Sequence, residues 1–353
     1  MIEYRTGNLL GAEAEALVNT VNCVGVMGKG IALQFAKKFP EMLSSYKQAC
    51  KDKELKPGTI HVYELDDLLL PRLILNFPTK RHWKARSRME DIASGLDALV
   101  RVIQERNIKS IAIPPLGCGN GGLEWAAVSS LIQEKLESLE DVNILVFPPA
   151  RTPDAKQMSH NTDRPAMNPS RAICVKLWQQ YFALGYELSL LEVHKLLYFL
   201  QEAGEPLKLR FTKQTYGPYA DNLRHLLHRF EGHFTIGFAD GQNKPDTPIE
   251  LLPGAIEEAD EFLEASAKQS VRSLNRLNRV AKLIEGFESP YGMELLATVH
   301  WVATVEGATT PLDALAAVKA WNSRKRKLME PKHVKLAWKC LNEGGWINEA
   351  KTA

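Results

Sequence analysis

The sequence predicts two folded parts in series: an α/β layered fold with a largely parallel sheet over residues 1–149, and a mostly helical domain over 171–353. Three observations carry this. First, short apolar β-rich runs (Ile60–Tyr63, Leu73–Phe77, Ser110–Ile113, Val142–Phe147) alternate with amphipathic stretches (Ile31–Phe39, Met89–Glu105, Leu123–Ser138). That interleaving builds a parallel sheet covered by helices. Second, the texture breaks after Phe147: PPARTPDAKQMSHNTDRPAMNPS is rich in Pro, Ser, Asn, Asp and Thr and lacks periodicity, which predicts a linker over 150–170. Third, helical periodicity dominates from Arg171, over Ala172–Leu184, Ser189–Glu202, Tyr219–Phe230, Gly254–Ala267, Leu274–Ile284, Met293–Val305 and Pro331–Leu341. Two β-like patches, Leu207–Phe211 and Phe234–Phe238, interrupt it, so a winged-helix-like arrangement is the expectation there.

Bulk properties exclude several classes. A 353-residue chain suggests about two domains. The formal charge is +2, and residues 1–150 carry 18 basic and 18 acidic side chains, so any nucleic-acid role must rest on a local patch. The five cysteines, Cys23, Cys50, Cys118, Cys174 and Cys340, are scattered and odd in number, with no CxxC pair. This argues against a disulfide framework or a zinc site and for a reducing compartment. The histidines show no ligand spacing backed by carboxylates or thiols, so no metal and no cofactor are expected. Neither a signal pattern nor a long apolar run stands out, which predicts a cytoplasmic protein without membrane association.

The glycine-rich loops hold the chemistry. Asn22-Cys23-Val24-Gly25-Val26 leads into Met27-Gly28-Lys29-Gly30-Ile31, after a strand-like run and before an amphipathic helix. The strand Ile111–Ile113 likewise runs into Pro114-Pro115-Leu116 and then Gly117-Cys118-Gly119-Asn120-Gly121-Gly122-Leu123, again before a helix. Glycines allow close backbone approach, and N–H groups gathered at a helix start bind phosphate. Such turns also join strands to helices with no ligand, but two in one small domain suggest linked phosphates held between them. Neither loop is a Walker A. Although Gly117, Gly119 and Gly122 have G-x-G-x-x-G spacing, they stand behind Pro114-Pro115 late in the domain and not in a clean Rossmann first turn, so ATP or NAD bound in the usual way is disfavoured.

Thr6-Gly7-Asn8-Leu9-Leu10, Leu17-Val18-Asn19-Thr20-Val21-Asn22 and the two loops, in that order, resemble a macrodomain. The resemblance is to the branch that holds terminal ADP-ribose protein glycohydrolase and the DarG antitoxins. It implies a three-layer α/β/α fold with a mixed sheet that binds ADP-ribose. By this resemblance Gly7, Asn8 and Leu9 lie near the adenine end. Met27–Ile31 and Gly117–Leu123 wrap the diphosphate and distal ribose, with Asn22 close to the reacting sugar, and Thr79 is a further ADP-ribose-binding residue.

The segment Asn76-Phe77-Pro78-Thr79-Lys80 stands between a strand and a helix, where the fold places ligands. A desolvated lysine there could attack C1″ of an opened ribose or act as acid or base, and Lys80 matches the family's catalytic lysine. One departure stands out. Where the human-type glycohydrolases carry a working aspartate in the second loop, this sequence has Gly121, with Glu124 three positions on. Arg81, His82, Trp83 and Lys84 follow Lys80 and are candidate DNA contacts, basic residues interleaved with an aromatic; a charged surface loop is the alternative. Cys118 is read as a small loop residue and Cys23 as core.

In the second domain, the KLLYF helix and the Tyr216-Gly217-Pro218-Tyr219 turn resemble a helical domain found in several antitoxins. Leu190, Leu191, Leu196, Leu197 and Leu200 are its expected core face. The combined resemblance implies an antitoxin that removes ADP-ribose from single-stranded DNA bases and binds a DarT-type DNA ADP-ribosyltransferase toxin. Glu257, Glu258, Asp260, Glu261 and Glu264 form a candidate acidic face for that partner. The run Arg324-Lys325-Arg326-Lys327 points instead to nucleic acid, or is a solvated turn. A non-catalytic ADP-ribose binder, inhibiting only through its second domain, is the main alternative.

Overall fold

The computed structural model describes residues 1–66, 70–150, 154–182 and 187–347. It divides into two compact units, Met1–Asp163 with Ala239–Gln242, and Arg164–Phe238 with Asn243–Ala353.

In the first unit, β1 (Ile2–Tyr4), β2 (Ala16–Asn22), β3 (His61–Glu64), β4 (Leu73–Lys80), β5 (Ser110–Ile113) and β6 (Asn143–Val146) form one sheet in the order β1-β6-β5-β2-β4-β3. Only β3 runs antiparallel, against β4, so the sheet is mixed. The helices are α1 (Gly30–Lys38), α2 (Pro40–Lys51), α3 (Met89–Glu105) and α4 (Trp125–Leu136). Alternate strand residues face opposite ways. Ala16, Val18, Leu75 and Phe77 pack with Ile92 and Leu96 of α3 and Val128 and Ile132 of α4. Leu17 and Ile74 pack on the other side with Phe35 of α1 and Met42 and Tyr46 of α2. Two apolar layers flank the sheet, giving the α/β/α arrangement.

β2 and β4 are buried on both faces and carry the site at their C-terminal ends. Two asparagines sit inside this dry pair. Asn19 donates from Nδ2 to Asn76 Oδ1 across the strands at 2.8 Å, which satisfies the Asn76 acceptor in this dry setting, whereas Asn19 Oδ1 is buried without a hydrogen-bond partner. A register shift between Val21 and Asn22 then brings Asn22 opposite Lys80, the kind of irregularity that re-aims side chains at a sheet's functional edge. α3 lies tight on β4 because residue 95 is glycine: a Cβ there would stand 2.2 Å from Phe77 Cζ.

The second unit is mainly helical, with α5 (Pro169–Phe182), α6 (Leu190–Glu202), β7 (Thr212–Gln214), β8 (Gly217–Tyr219), α7 (Leu223–Phe230), β9 (Thr235–Ile236), β10 (Glu250–Leu251) and α8 (Ala255–Ala265). There follow α9 (Ala267–Ile284), α10 (Pro290–Thr304), α11 (Pro311–Trp321), α12 (Ser323–Leu328) and α13 (Pro331–Glu343). α6 is not the one-faced helix that its leucines suggest: Glu192–Leu200 are buried without a break, making it the centre of the unit. Ser189 and Glu192 close a capping box at its start.

Several expected boundaries shift. Leu207–Phe211 forms no strand, because Gln201 on α6 captures both backbone groups of Leu209, accepting from its N–H at 2.7 Å and donating to its carbonyl at 3.0 Å. The YGPY motif contributes β8 instead of opening a helix, and α7 starts at Leu223. The basic run at 324–327 lies on α12 and is split: Arg326 and Lys327 are exposed, while the first two residues turn to a buried carboxylate. Lys325 is fully buried, donating to Glu294 Oε1 at 2.6 Å and Thr298 Oγ1 at 3.0 Å, while Arg324 pairs with the same carboxylate. Of the expected helix Ala172–Leu184, residues 183 and 184 lie outside the described residues, as do 151–153 of the 150–170 segment. Asn161, in that segment, donates from its backbone N–H to Lys37 O and from Nδ2 to Lys38 O, both at 3.0 Å. Among the described residues, no helix is long and apolar enough to cross a membrane.

Candidate active site

The first loop takes its shape from one side chain. Asn22 ends β2 almost fully buried, and its Oδ1 accepts from the backbone N–H of Val24 at 3.0 Å and of Val26 at 3.3 Å. Its Nδ2 donates to Val26 O, closing the turn from the other side. Beneath it, buried Tyr46 on α2 donates to Asn22 O at 2.7 Å. Asn22 is therefore the staple that folds residues 23–26, with its amide already engaged. Gly25 takes a positive φ in this turn, α1 begins at Gly30, and Lys29 stands exposed at the helix N-cap. Met27 is buried beside Asn19.

The second loop folds on its own backbone. Cys118 N–H donates to Pro115 O, Gly122 N–H to Gly119 O and Leu123 N–H to Gly117 O, each at 3.1 Å. Gly119 and Asn120 are left exposed at the tip. Asn8 caps a short turn at Leu9–Gly11, its Oδ1 accepting from Leu10 N–H at 3.0 Å, with Leu9 and Leu10 buried beneath. Thr79 is buried on β4, and its hydroxyl donates to Val21 O at 3.4 Å.

Lys80 joins the two halves. It is the last residue of β4, opposite Asn22 in the ladder, and its Nζ donates to Asn120 O of the second loop. Partial burial pushes its pKa below the ordinary lysine value, raising the share of neutral amine. Structure thus assembles Asn22, Thr79, Lys80 and the tip of the second loop at one end of the β2–β4 pair.

Neither nearby thiol is primed. Burial raises both Cys23 and Cys118 to about 11, Cys23 also under the influence of Cys50, so little thiolate forms near neutrality. Among the described residues, no group of three or more His, Cys, Asp or Glu side chains converges to hold a metal.

After Lys80 the chain turns sharply. Arg81 pairs with Asp91, a nearly buried carboxylate in the first turn of α3, at 2.9 Å. His82 and Trp83 stack, with centroids 5.5 Å apart and planes at 29°. Sequence reasoning missed Asp91, Tyr46 and Ser87. Ser87 N–H donates to Gly121 O at 3.1 Å, tying the turn to the second loop. No composition or spacing signal marks a serine in this role.

The Macro domain family model matches residues 18–132. A DNA ADP-ribosyl glycohydrolase from Thermus aquaticus is 46% identical, over 98% of this chain and 94% of that protein. One from Mycobacterium tuberculosis is 42% identical, over 96% of this chain and 98% of its own length. The chain belongs to the DarG family of DNA ADP-ribosyl glycohydrolases. A DNA ADP-ribosyl transferase–DNA ADP-ribosyl glycohydrolase fusion protein from Thermosipho africanus is 38% identical, over 42% of this chain and 43% of the fusion.

Against the wider macrodomain branch, the departure at Gly121 now has a packing reason. A Cβ at this position would stand 2.1 Å from Gly117 O and 2.3 Å from Ser87 Oγ. No side chain of any kind fits while Ser87 and the loop keep their places. The DarG-type site in this chain is built without a carboxylate at 121.

Proposed function

We propose that the macrodomain hydrolyses the N-glycosidic bond between ADP-ribose and a base of single-stranded DNA, with Lys80 as the acting group. The observation that carries this is Lys80 itself: an amine with a lowered pKa, at the sheet edge between two glycine loops, held by Asn120 O. Family membership supports the same chemistry. ADP-ribose would lie with its adenine end towards Gly7–Leu9, its diphosphate and distal ribose between Met27–Ile31 and Gly117–Leu123, and C1″ near Lys80. Backbone N–H groups in such loops neutralise phosphate without a metal.

The neutral amine of Lys80 would attack C1″, expelling the base, whose ring nitrogen takes a proton. The adduct opens to an imine, and water then hydrolyses it to free ADP-ribose and the restored amine. The rate should rise with pH as Lys80 loses its proton, levelling off below the ordinary lysine range. A rate that falls across that range would reassign Lys80 to proton donation.

The second unit is proposed to bind a DarT-type DNA ADP-ribosyltransferase, in keeping with the fused transferase–glycohydrolase relative. Glu257, Glu261 and Glu264 lie exposed along one side of α8, whereas Glu258 pairs with Arg164 and Asp260 with Lys176. These three, with no ion pair among the described residues, are the acidic stripe offered to a nucleic-acid-binding groove. The β7–β8 hairpin between helices supports the winged-helix-like reading of this unit.

A second reading, an ADP-ribose binder without catalysis, draws on the missing carboxylate at Gly121. Parallel incubation with ADP-ribosylated single-stranded DNA and ADP-ribosylated protein separates the readings. The proposal expects free ADP-ribose and restored strand from the DNA arm; binding without release in both arms would establish the rival.

A further inference from the structure

We propose that His82, Trp83 and Lys84 form a preset platform that stacks a nucleobase next to the modified nucleotide and holds its phosphate, so that the enzyme reads a strand and not an isolated ADP-ribosyl group. This rests on the reading of Lys80 as the reacting centre, two residues away.

Three features of the turn carry the argument. It is pinned on both sides: Arg81 by Asp91 at 2.9 Å, and the exit by Ser87 N–H on Gly121 O at 3.1 Å. Between the pins, Ala85 N–H donates to His82 O at 2.9 Å and Lys84 N–H to His82 Nδ1 at 3.2 Å, closing a tight turn that projects the rings. At its tip, Trp83 is 41% exposed although stacked on His82, with the Lys84 ammonium 4.9 Å from its ring centre.

A buried tryptophan would read as core, and an exposed one on a mobile loop as incidental. A large exposed ring on a twice-anchored turn beside the reacting lysine is neither. Stacking suits every base, because each has a π face. Lys84 is exposed and can leave the ring for a phosphate when a base arrives. Pre-anchoring removes most of the ordering cost of binding. An ADP-ribosylated protein segment offers neither a run of flat faces nor a run of phosphates, so nucleic acid is the better match. Arg81 takes a different role from its neighbours: engaged with Asp91, it is a positioning residue for the platform.

The test compares kcat/KM of the full chain for an oligonucleotide ADP-ribosylated on an internal base with that for the ADP-ribosylated mononucleoside. Trp83→Ala should lower the oligonucleotide-to-mononucleoside ratio by about 5- to 150-fold, the range expected for loss of one base stack. Trp83→Phe should restore most of it. Lys84→Ala should lower the ratio and flatten its salt dependence by roughly one phosphate contact. A ratio unaltered in Trp83→Ala, an equal fall for both substrates, or an equal fall for ADP-ribosylated protein overturns the platform. If the wild type cleaves neither nucleic-acid substrate, the catalytic reading fails instead. Equilibrium binding of the same strands then judges the platform alone, and a Kd unmoved by Trp83→Ala overturns it.

Discussion

The two glycine loops of the macrodomain look alike in sequence but are held by opposite means. The first is fastened by a side chain, Asn22, whose amide ties down Val24 and Val26 while Tyr46 supports it from below. The second is fastened by the lack of one: its own backbone closes it, and Gly121 leaves the space that Ser87 and Gly117 O fill. The lesson is that glycine content alone does not say what a loop needs. In the first loop the important residue is an asparagine before the glycines. In the second it is the glycines themselves: Gly121 has no room for a Cβ, and Gly117 combines a positive φ with neighbours 2.9–3.0 Å from where its Cβ would stand.

That contrast can be broken in graded steps. Gly121→Asp, which restores the carboxylate of the wider branch, should give the largest effect. The Cβ clash costs about 1–3 kcal/mol or more, and ADP-ribose affinity measured by calorimetry should collapse. A variant that binds normally and turns over faster would refute the packing argument. Asn22→Ala should cost about 1–3 kcal/mol, because the amides it satisfies lose their partners, read as a fall in thermal midpoint accompanied by weaker ADP-ribose binding. Weaker binding with an unchanged midpoint would make Asn22 a ligand contact and not a staple. Gly28→Ala should do least, within about 0.5 kcal/mol, since its Cβ would meet only Val26 Cγ1 at an ordinary 3.7 Å. A large loss there would show that the first loop needs glycine at position 28 as well as at the positive-φ positions 25 and 30.

How much of this was legible beforehand differs element by element. α3 was read at both ends, because Met89–Glu105 combines strong periodicity with acids in its first turn. β5 was equally plain. β1 is three residues long at a sheet edge, too short to leave a pattern. β2 was visible only as a strand-like approach to the loop: Asn19 and Asn22 interrupt its hydropathy, yet one pairs with Asn76 inside the sheet and the other folds the loop. Polar residues satisfied by partners far along the chain cannot be told from surface ones by pattern alone. Lys80 was found by its context. The carbonyl that holds it, Asn120 O, was not, because a backbone acceptor carries no sequence signal. The first half of the basic run at 324–327 misleads for the complementary reason, since Lys325 and Arg324 face the buried Glu294 while Arg326 and Lys327 stay exposed.

The central claim is that a loop built without a carboxylate still supports bond cleavage, through Lys80. The most direct test incubates wild type and Lys80→Ala with single-stranded DNA ADP-ribosylated on a base, and measures released ADP-ribose alongside ADP-ribose affinity. The account predicts release by the wild type, with turnover lost but affinity kept in Lys80→Ala. Undiminished release by Lys80→Ala would contradict it.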